Sequence, residues 1–269
     1  MILFLYLTII LFILGSAIGS FINVLISRTR TSQQWVKGRS HCDHCNKPLK
    51  WYDMVPLLSY IWLRGQSRCC HQPISISHPV VEFLTGTMLV WWFWGGSLFF
   101  QLTKAPFQII QPLFWLSVGI ILLVIFLVDF YTMIIPDLAV WSLLLLTLLY
   151  RLALTITGVM AQTDFIWTIL AAVGVWFAFF LLWFLTKGKG LGFGDVKLSI
   201  PMTLLLGWPQ ILVGLFLSFT IGGAVGAVLL LTGKKKLKQV VPFGPFLVVG
   251  TVITLVFGDL ILRWYLSLL

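Results

Sequence analysis

Two groups of residues in this chain have types and spacings that could do chemistry. The first comprises the only four cysteines, all between Cys42 and Cys70. Cys42-Asp-His-Cys45 is a CxxC knuckle, and Cys69, Cys70 and His71 follow further along the same polar segment. Four thiolates from one segment suit tetrahedral Zn²⁺, which takes sulfur and imidazole ligands from paired knuckles. The second knuckle is irregular, because Cys69 and Cys70 are adjacent and Ser67 stands three before Cys70. His41, His44 and His71 are therefore alternative ligands, and reduced, unliganded thiols are the competing reading. Disulfides do not fit a loop placed in the cytoplasm.

The second group is acidic. The chain has only eight acidic residues: Asp43, Asp53, Glu82, Asp129, Asp137, Asp164, Asp195 and Asp259. Asp129 and Asp195 fall at the ends of apolar runs, where a carboxylate is costly and is by default a functional candidate. Two carboxylates sharing one site do not both ionise easily. The ionised one can activate water while the protonated one polarises a peptide carbonyl, which is aspartic-protease chemistry. The bland alternative is that these aspartates cap helices or balance Lys187 and Lys197. Glycines on both sides of Asp195, at Gly192 and Gly194, favour a site, since they let backbone and substrate approach closely. Asp137, following Pro136 and preceding an apolar run, reads as a helix cap. Glu82, the only glutamate, reads equally as a helix-dipole partner or a site residue. Asn23 lies inside an apolar run and needs a hydrogen-bond partner.

The elements that must position these residues are membrane helices. Of 269 residues 59% are hydrophobic and only 10% charged, and the mean hydropathy is +1.03. A soluble domain carries roughly a quarter charged residues, so a soluble or disordered chain is excluded. The apolar runs are continuous and lack the alternation of a membrane barrel. A span needs about 20 apolar residues. The expected spans are 2–26, 83–100, 105–128, 138–157, 165–186, a sixth from near Leu191, a seventh ending at Gly233, and an eighth over 239–258. Gly207-Trp208-Pro209 supplies the turn between the sixth and seventh. Arg151 is expected to snorkel to the outer face. Gly15-x-x-x-Gly19 and Gly222-x-x-x-Gly226 read as helix-packing patterns.

The net charge of +10 is assigned to cytoplasmic loops rather than to nucleic-acid binding. With the N-terminus outside, the inner loops hold eight basic residues between 28 and 79, then Lys187, Lys189 and Lys197, and four between Lys234 and Lys238. The outer side holds only Lys104, Arg151 and Arg263. The expectation is an all-α polytopic membrane protein of about eight transmembrane helices, N-terminus outside, with a cytoplasmic zinc-knuckle loop between the first two.

At these residues the sequence resembles the type IV prepilin peptidases. The resemblance is carried in order by Gly19-Ser-Phe-Ile-Asn-Val24, Arg39-Ser-His-Cys42-Asp-His-Cys45, 51–60, Leu63-Arg-Gly65, Pro73-Ile-Ser75 and Pro79-Val-Val-Glu82. Asp129 with Pro136-Asp137, 192–197, and Pro242-Phe-Gly-Pro-Phe246 complete it. It implies a membrane aspartic peptidase with Asp129 and Asp195 as catalytic residues. The substrates would be prepilins or type II secretion pseudopilins, cut at the cytoplasmic face of the inner membrane, typically after a glycine. Such enzymes usually then methylate the new N-terminal residue, commonly phenylalanine, from S-adenosylmethionine. Methylation belongs to residues 1–100 by the resemblance, and proteolysis to the six-span region 101–269. The family's second knuckle is also CxxC, and here its positions are Ser67 and Cys70, so the ligand set becomes Cys42, Cys45, Cys70 and Cys69 or a histidine. Ser77-His78 replaces the family's common Arg-Tyr. A peptidase without methyl transfer and a multi-pass transporter are the rival readings.

Overall fold

The computed structural model describes residues 2–30, 38–42, 44–99, 106–233 and 241–267. Asp43, Lys104, Gln239 and the Lys234–Lys238 run lie outside the described residues. The described residues are mostly helical, with nine α-helices: α1 (Ile2–Arg30), α2 (Leu58–Trp62), α3 (Ser77–Phe99), α4 (Phe107–Thr132), α5 (Asp137–Ile156), α6 (Gln162–Leu185), α7 (Phe193–Leu206), α8 (Gln210–Leu231) and α9 (Gly244–Leu266). Six of them, α1, α4, α5, α6, α8 and α9, are long and apolar enough to cross a membrane. This is a multi-pass membrane protein. Most of the eight expected spans coincide with a helix to within a few residues. The second and sixth, α3 and α7, are not among these six, and α3 starts at Ser77 instead of residue 83.

α7 lies where the sixth span is expected but is too short to be one. Its 14 residues rise about 21 Å at 1.5 Å each, short of a hydrocarbon core of about 30 Å. Gly207, at φ +80, ends it, and the turn expected at Gly207-Trp208-Pro209 leads into α8. α9 departs from the eighth expected span. It starts at Gly244, with Pro245 in its first turn, and runs through Asp259 and Arg263 instead of stopping at Gly258. Asp259 is accommodated because its Oδ1 accepts a hydrogen bond from Gln210 Nε2 on α8 at 2.9 Å.

The chain divides into two compact units, residues 1–116 and 117–269. In the first, α1 packs along α3. The expected small-residue pattern explains the fit: a Cβ at Gly15 would lie 2.5 Å from the Thr85 carbonyl oxygen, and one at Gly19 would lie 2.7 Å from Glu82 Cα. In the second, α7 is the buried centre. It packs against α5, α6, α8 and α9, and ten of its residues are buried. The Gly222/Gly226 pattern is half realised. A Cβ at Gly222 would meet Phe246 at 3.1 Å, whereas Gly226 faces open space.

Arg151 does not snorkel outward. Its guanidinium donates to the carbonyls of Leu204 and, at 3.3 Å, Leu205, and to Thr168 Oγ1 at 3.4 Å. It therefore satisfies the C-terminal carbonyls of α7, which the short helix would otherwise leave bare inside the protein.

Candidate active site and thiol cluster

Asp129 and Asp195, both in the second unit, are each positioned at a helix terminus. Asp129 lies in the last turn of α4, whose end is marked by Met133 N–H donating to the Asp129 carbonyl at 2.8 Å. Its side chain is 4% exposed and takes a hydrogen bond from the main-chain N–H of Gly244, at the start of α9. Asp195 lies in the first turn of α7 and is 5% exposed. Its Oδ2 accepts the Gly192 N–H at 3.1 Å. That is the acidic half of a capping box. A cap and a site are thus not exclusive here: one oxygen is used on the helix end, and Asp195 Oδ1 is buried with no hydrogen-bond partner.

The two aspartates converge. The charge of Asp129 acts on Asp195, and both adjoin the same side chain, Ile135, through neighbouring glycines. A Cβ on Gly244 would lie 2.5 Å from Asp129 Oδ2 and 3.1 Å from Ile135 Cδ1. One on Gly194 would lie 3.0 Å from Ile135 Cβ. Pro242-Phe-Gly-Pro-Phe246 thus contributes the Gly244 N–H that orients a carboxylate. Sequence reasoning placed this segment among the motifs of the resemblance but gave it no role, because a main-chain donor leaves no residue-type signature.

Asp137 is not a cap. Pro136 holds the N-cap position and makes no side-chain cap. Asp137 is instead ion-paired with Lys197 Nζ on α7, which ties the first turns of α5 and α7 together. Glu82, buried, lies beyond the first turn of α3 and is not a helix-dipole partner. Its Oε2 accepts the Leu57 N–H at 2.8 Å, pinning the loop at a residue with φ +60. Asn23 Nδ2 finds the His78 carbonyl at 3.0 Å, joining α1 to the start of α3.

In the first unit the four cysteine sulfurs lie within 4.8 Å of one another. Two similar turns present them. The pair His41–Pro48 closes one and Gln66–Pro73 the other, with Cys42 N–H to Lys47 and Ser67 N–H to Gln72 carbonyls, each at 2.9 Å. The residues after the second ligand positions, Asn46 and His71, have φ of 56 and 55. Ser67 and Cys70 thus stand where Cys42 and Cys45 stand, so the second turn is a true knuckle with a serine in its first ligand position. Cys69 supplies the fourth sulfur, 3.0 Å from Cys45 Sγ. No histidine joins the group among the described residues.

Four thiolates on a tetrahedral ion with bonds of about 2.3 Å stand about 3.8 Å apart. The sulfur separations, 3.0 Å for Cys45–Cys69 and 3.8 Å for Cys42–Cys70 with all four within 4.8 Å, bracket that spacing, so the donor set suits a closed metal site. Burial pushes the Cys42 thiol up, but the Cys45 and His44 main-chain N–H groups and the neighbouring thiols outweigh it and bring it down to about 6. Cys69 is pushed up to about 12, first by its hydrogen bond with Cys45. Without a cation the cluster holds its protons unevenly, as crowded thiols must.

Comparison with known proteins places this geometry. Residues 13–95 match the bacterial peptidase A24 N-terminal domain, and residues 116–227 match the type IV leader peptidase family. A prepilin leader peptidase/N-methyltransferase of Aeromonas hydrophila is 31% identical, over 96% of this chain and 93% of its own length. Proteins of the same description from Pectobacterium carotovorum (31% identical, 89% of each chain) and Legionella pneumophila (30%, over 98% and 95%) are also similar. No solved structure matches. Similarity of this extent, over both units and both residue clusters, has one meaning: the chain belongs to the type IV leader peptidase family.

Proposed function

We propose that this protein is an aspartic endopeptidase of the bacterial inner membrane that removes the basic leader from prepilins or pseudopilins at the cytoplasmic face. One observation carries the mechanism: Asp129 and Asp195, buried on different helices, share the same close neighbours at the ends of α4 and α7. With one carboxylate ionised and its partner protonated, the first removes a proton from water, which attacks the peptide carbonyl carbon. The second gives its proton to the carbonyl oxygen. The Gly244 and Gly192 N–H groups hold the two side chains in place. That leaves Asp195 Oδ1 unengaged by protein.

The charge distribution supports placing the site inside, since the knuckle loop, Lys187, Lys189 and Lys197 are basic. Cys42, Cys45, Cys69 and Cys70 hold structural zinc in this reading, and the metal fastens two turns of a loop with little apolar core. N-methylation of the new terminus is proposed for residues 1–100 on the resemblance and the relatives' names, and S-adenosylmethionine would supply the methyl group. The described residues of that region offer no glycine-rich turn after a strand, and Asp53 and Glu82 are engaged by Arg68 and Leu57.

The test is incubation of the purified chain with a prepilin carrying a basic leader and a Gly-Phe junction, with and without S-adenosylmethionine. Mass spectrometry should show loss of the leader in both cases, and one added methyl group only with the donor. An intact prepilin would overturn the peptidase reading.

A further inference from the structure

The loop that carries the cysteines turns an apolar side outward. In α2, Leu58, Ile61 and Trp62 follow the i, i+3, i+4 spacing of one helix face, and all three are exposed, Trp62 to 84%. Trp51, in the single helical turn 51–54 that adjoins α2, is 76% exposed. Two bare indoles and two bare aliphatic side chains on one short stretch make a patch of the kind that marks an interaction surface.

The fold fixes where this patch stands. Leu57, the residue before α2, gives its N–H to Glu82 Oε2 at 2.8 Å. Glu82 in turn packs on α1, where a Cβ at Gly19 would lie 2.7 Å from Glu82 Cα. Gly19 belongs to the uncharged stretch of α1 that ends at Ile26, and α1 is long and apolar enough to cross a bilayer. About 10 Å of helix separates Gly19 from Ile26. A glutamate side chain reaches less far, so Leu57 is held no farther out than the end of the apolar stretch. α2 therefore starts at the bilayer boundary, level with Val80, Phe83 and Leu84, the first apolar side chains that α3 turns outward.

Charge favours the same occupant. Each indole has an exposed cation beside it in the chain, Lys50 before Trp51 and Arg64 two residues after Trp62. Among the described residues between α1 and α3, Asp53 is the only acid, and Arg68 pairs with it at 2.8 Å. Indoles sit among lipid headgroups at a membrane interface, and basic side chains there are drawn to anionic lipid. We propose that this patch is a membrane-surface anchor. The side chains of Trp51, Leu58, Ile61 and Trp62 enter the interfacial layer of an anionic phospholipid bilayer, with Lys50 and Arg64 at its phosphates. The anchor lies between the two knuckle turns in the chain, which close at His41–Pro48 and Gln66–Pro73, so it holds the thiol cluster close to the membrane. The assignment makes no use of the peptidase reading.

The experiment replaces Trp62 by the photoreactive benzoylphenylalanine in the full-length chain, in vesicles of equal parts phosphatidylglycerol and phosphatidylcholine. After irradiation the protein should gain the mass of one phospholipid, as it should with the same replacement at Leu145, an exposed position on the spanning helix α5. Phosphatidylglycerol adducts at position 62 should outnumber phosphatidylcholine adducts by about fivefold or more, the scale of one cation near an anionic surface. Lys50→Gln together with Arg64→Gln should bring that ratio close to one. Lipid adducts at position 145 but none at 62 would overturn the anchor. So would adducts at 62 formed only with a second copy of the chain, which would make the patch an interface between copies. An unchanged lipid ratio in the doubly substituted protein would overturn the part given to the cations. Should the variant at position 62 fail to insert, the same replacement at Trp51 decides in the same way.

Discussion

At the scale of residues, chemistry dictates type, and type is what a sequence displays. Asp129, Asp195 and the four cysteines were legible because carboxylates at a membrane edge and thiols in a polar loop have few bland uses. Ile135 and the Gly244 N–H were not, since an aliphatic side chain and a main-chain donor look alike everywhere. Asp129→Asn or Asp195→Asn keeps shape but removes the shared proton, so each change should lower cleavage by about a thousandfold or more. The double variant should be no worse than either, as expected of residues that act as a unit. Substantial cleavage by either folded single variant would exclude the mechanism. Asp137→Asn should behave differently. Its side chain is 62% exposed, and an exposed ion pair is worth about 0–1 kcal/mol, so activity should fall only severalfold in the same peptide assay. The thiols make a pH prediction. Metal must displace the proton that Cys69 holds up to about 12, and acid adds a competing proton at Cys42 below about 6. Binding therefore strengthens as pH rises. Zinc measured by elemental analysis after dialysis should be retained at pH 8 and lost progressively toward pH 5, and equal retention at both would argue against thiolate ligation.

At the scale of elements, length and hydropathy located most of the helices, because a bilayer imposes one length on every span. They placed α7 between Leu191 and the Gly207 turn, close to its observed bounds, but counted it as a full span, which its 14 residues are too few to be. Arg151 reads as snorkelling from its place along the fourth expected span. A cation deep in an apolar run looks like a snorkelling side chain unless a helix is known to end beside it. The short helix gives Asp195 its position, so the carbonyls at its far end must be satisfied within the protein. Gly207 makes room for this arrangement, since a Cβ there would lie 2.5 Å from Arg151 Nη2. Arg151→Leu should leave the Leu204 and Leu205 carbonyls without their donor. The expected cost is about 1–3 kcal/mol, read as a lowered unfolding midpoint in detergent. Arg151→Lys, with one ammonium in place of a forked guanidinium, should recover only part of it. An unfolding midpoint in Arg151→Leu equal to that of wild type would show that these carbonyls need no cap.

At the scale of the whole molecule, the two residue clusters lie in different units. Asp129 and Asp195 both lie in residues 117–269, and all four cysteines lie in residues 1–116. The first unit joins α1 to α3 through close-packed glycines and anchors its loop through Asn23, Glu82 and the paired knuckles. None of those contacts involves an aspartate of the second unit. If methyl transfer belongs to the N-terminal region, as proposed, the two activities should be separable by substitution in the full-length protein. Asp195→Asn should fail to remove the leader yet methylate a pre-cleaved peptide beginning with phenylalanine at close to the wild-type rate. Cys42→Ala with Cys45→Ala removes two of four thiols and loosens the loop that the metal fastens, so it should lose zinc and methyl transfer together. Leader cleavage by that variant should persist, since its carboxylates keep their Gly192 and Gly244 donors. Mass spectrometry of the two peptides resolves every combination. Loss of cleavage in the cysteine variant, in protein shown to be folded and inserted, would mean that the knuckle loop serves the peptidase as well. Loss of methylation in Asp195→Asn would mean that the aspartates serve both reactions.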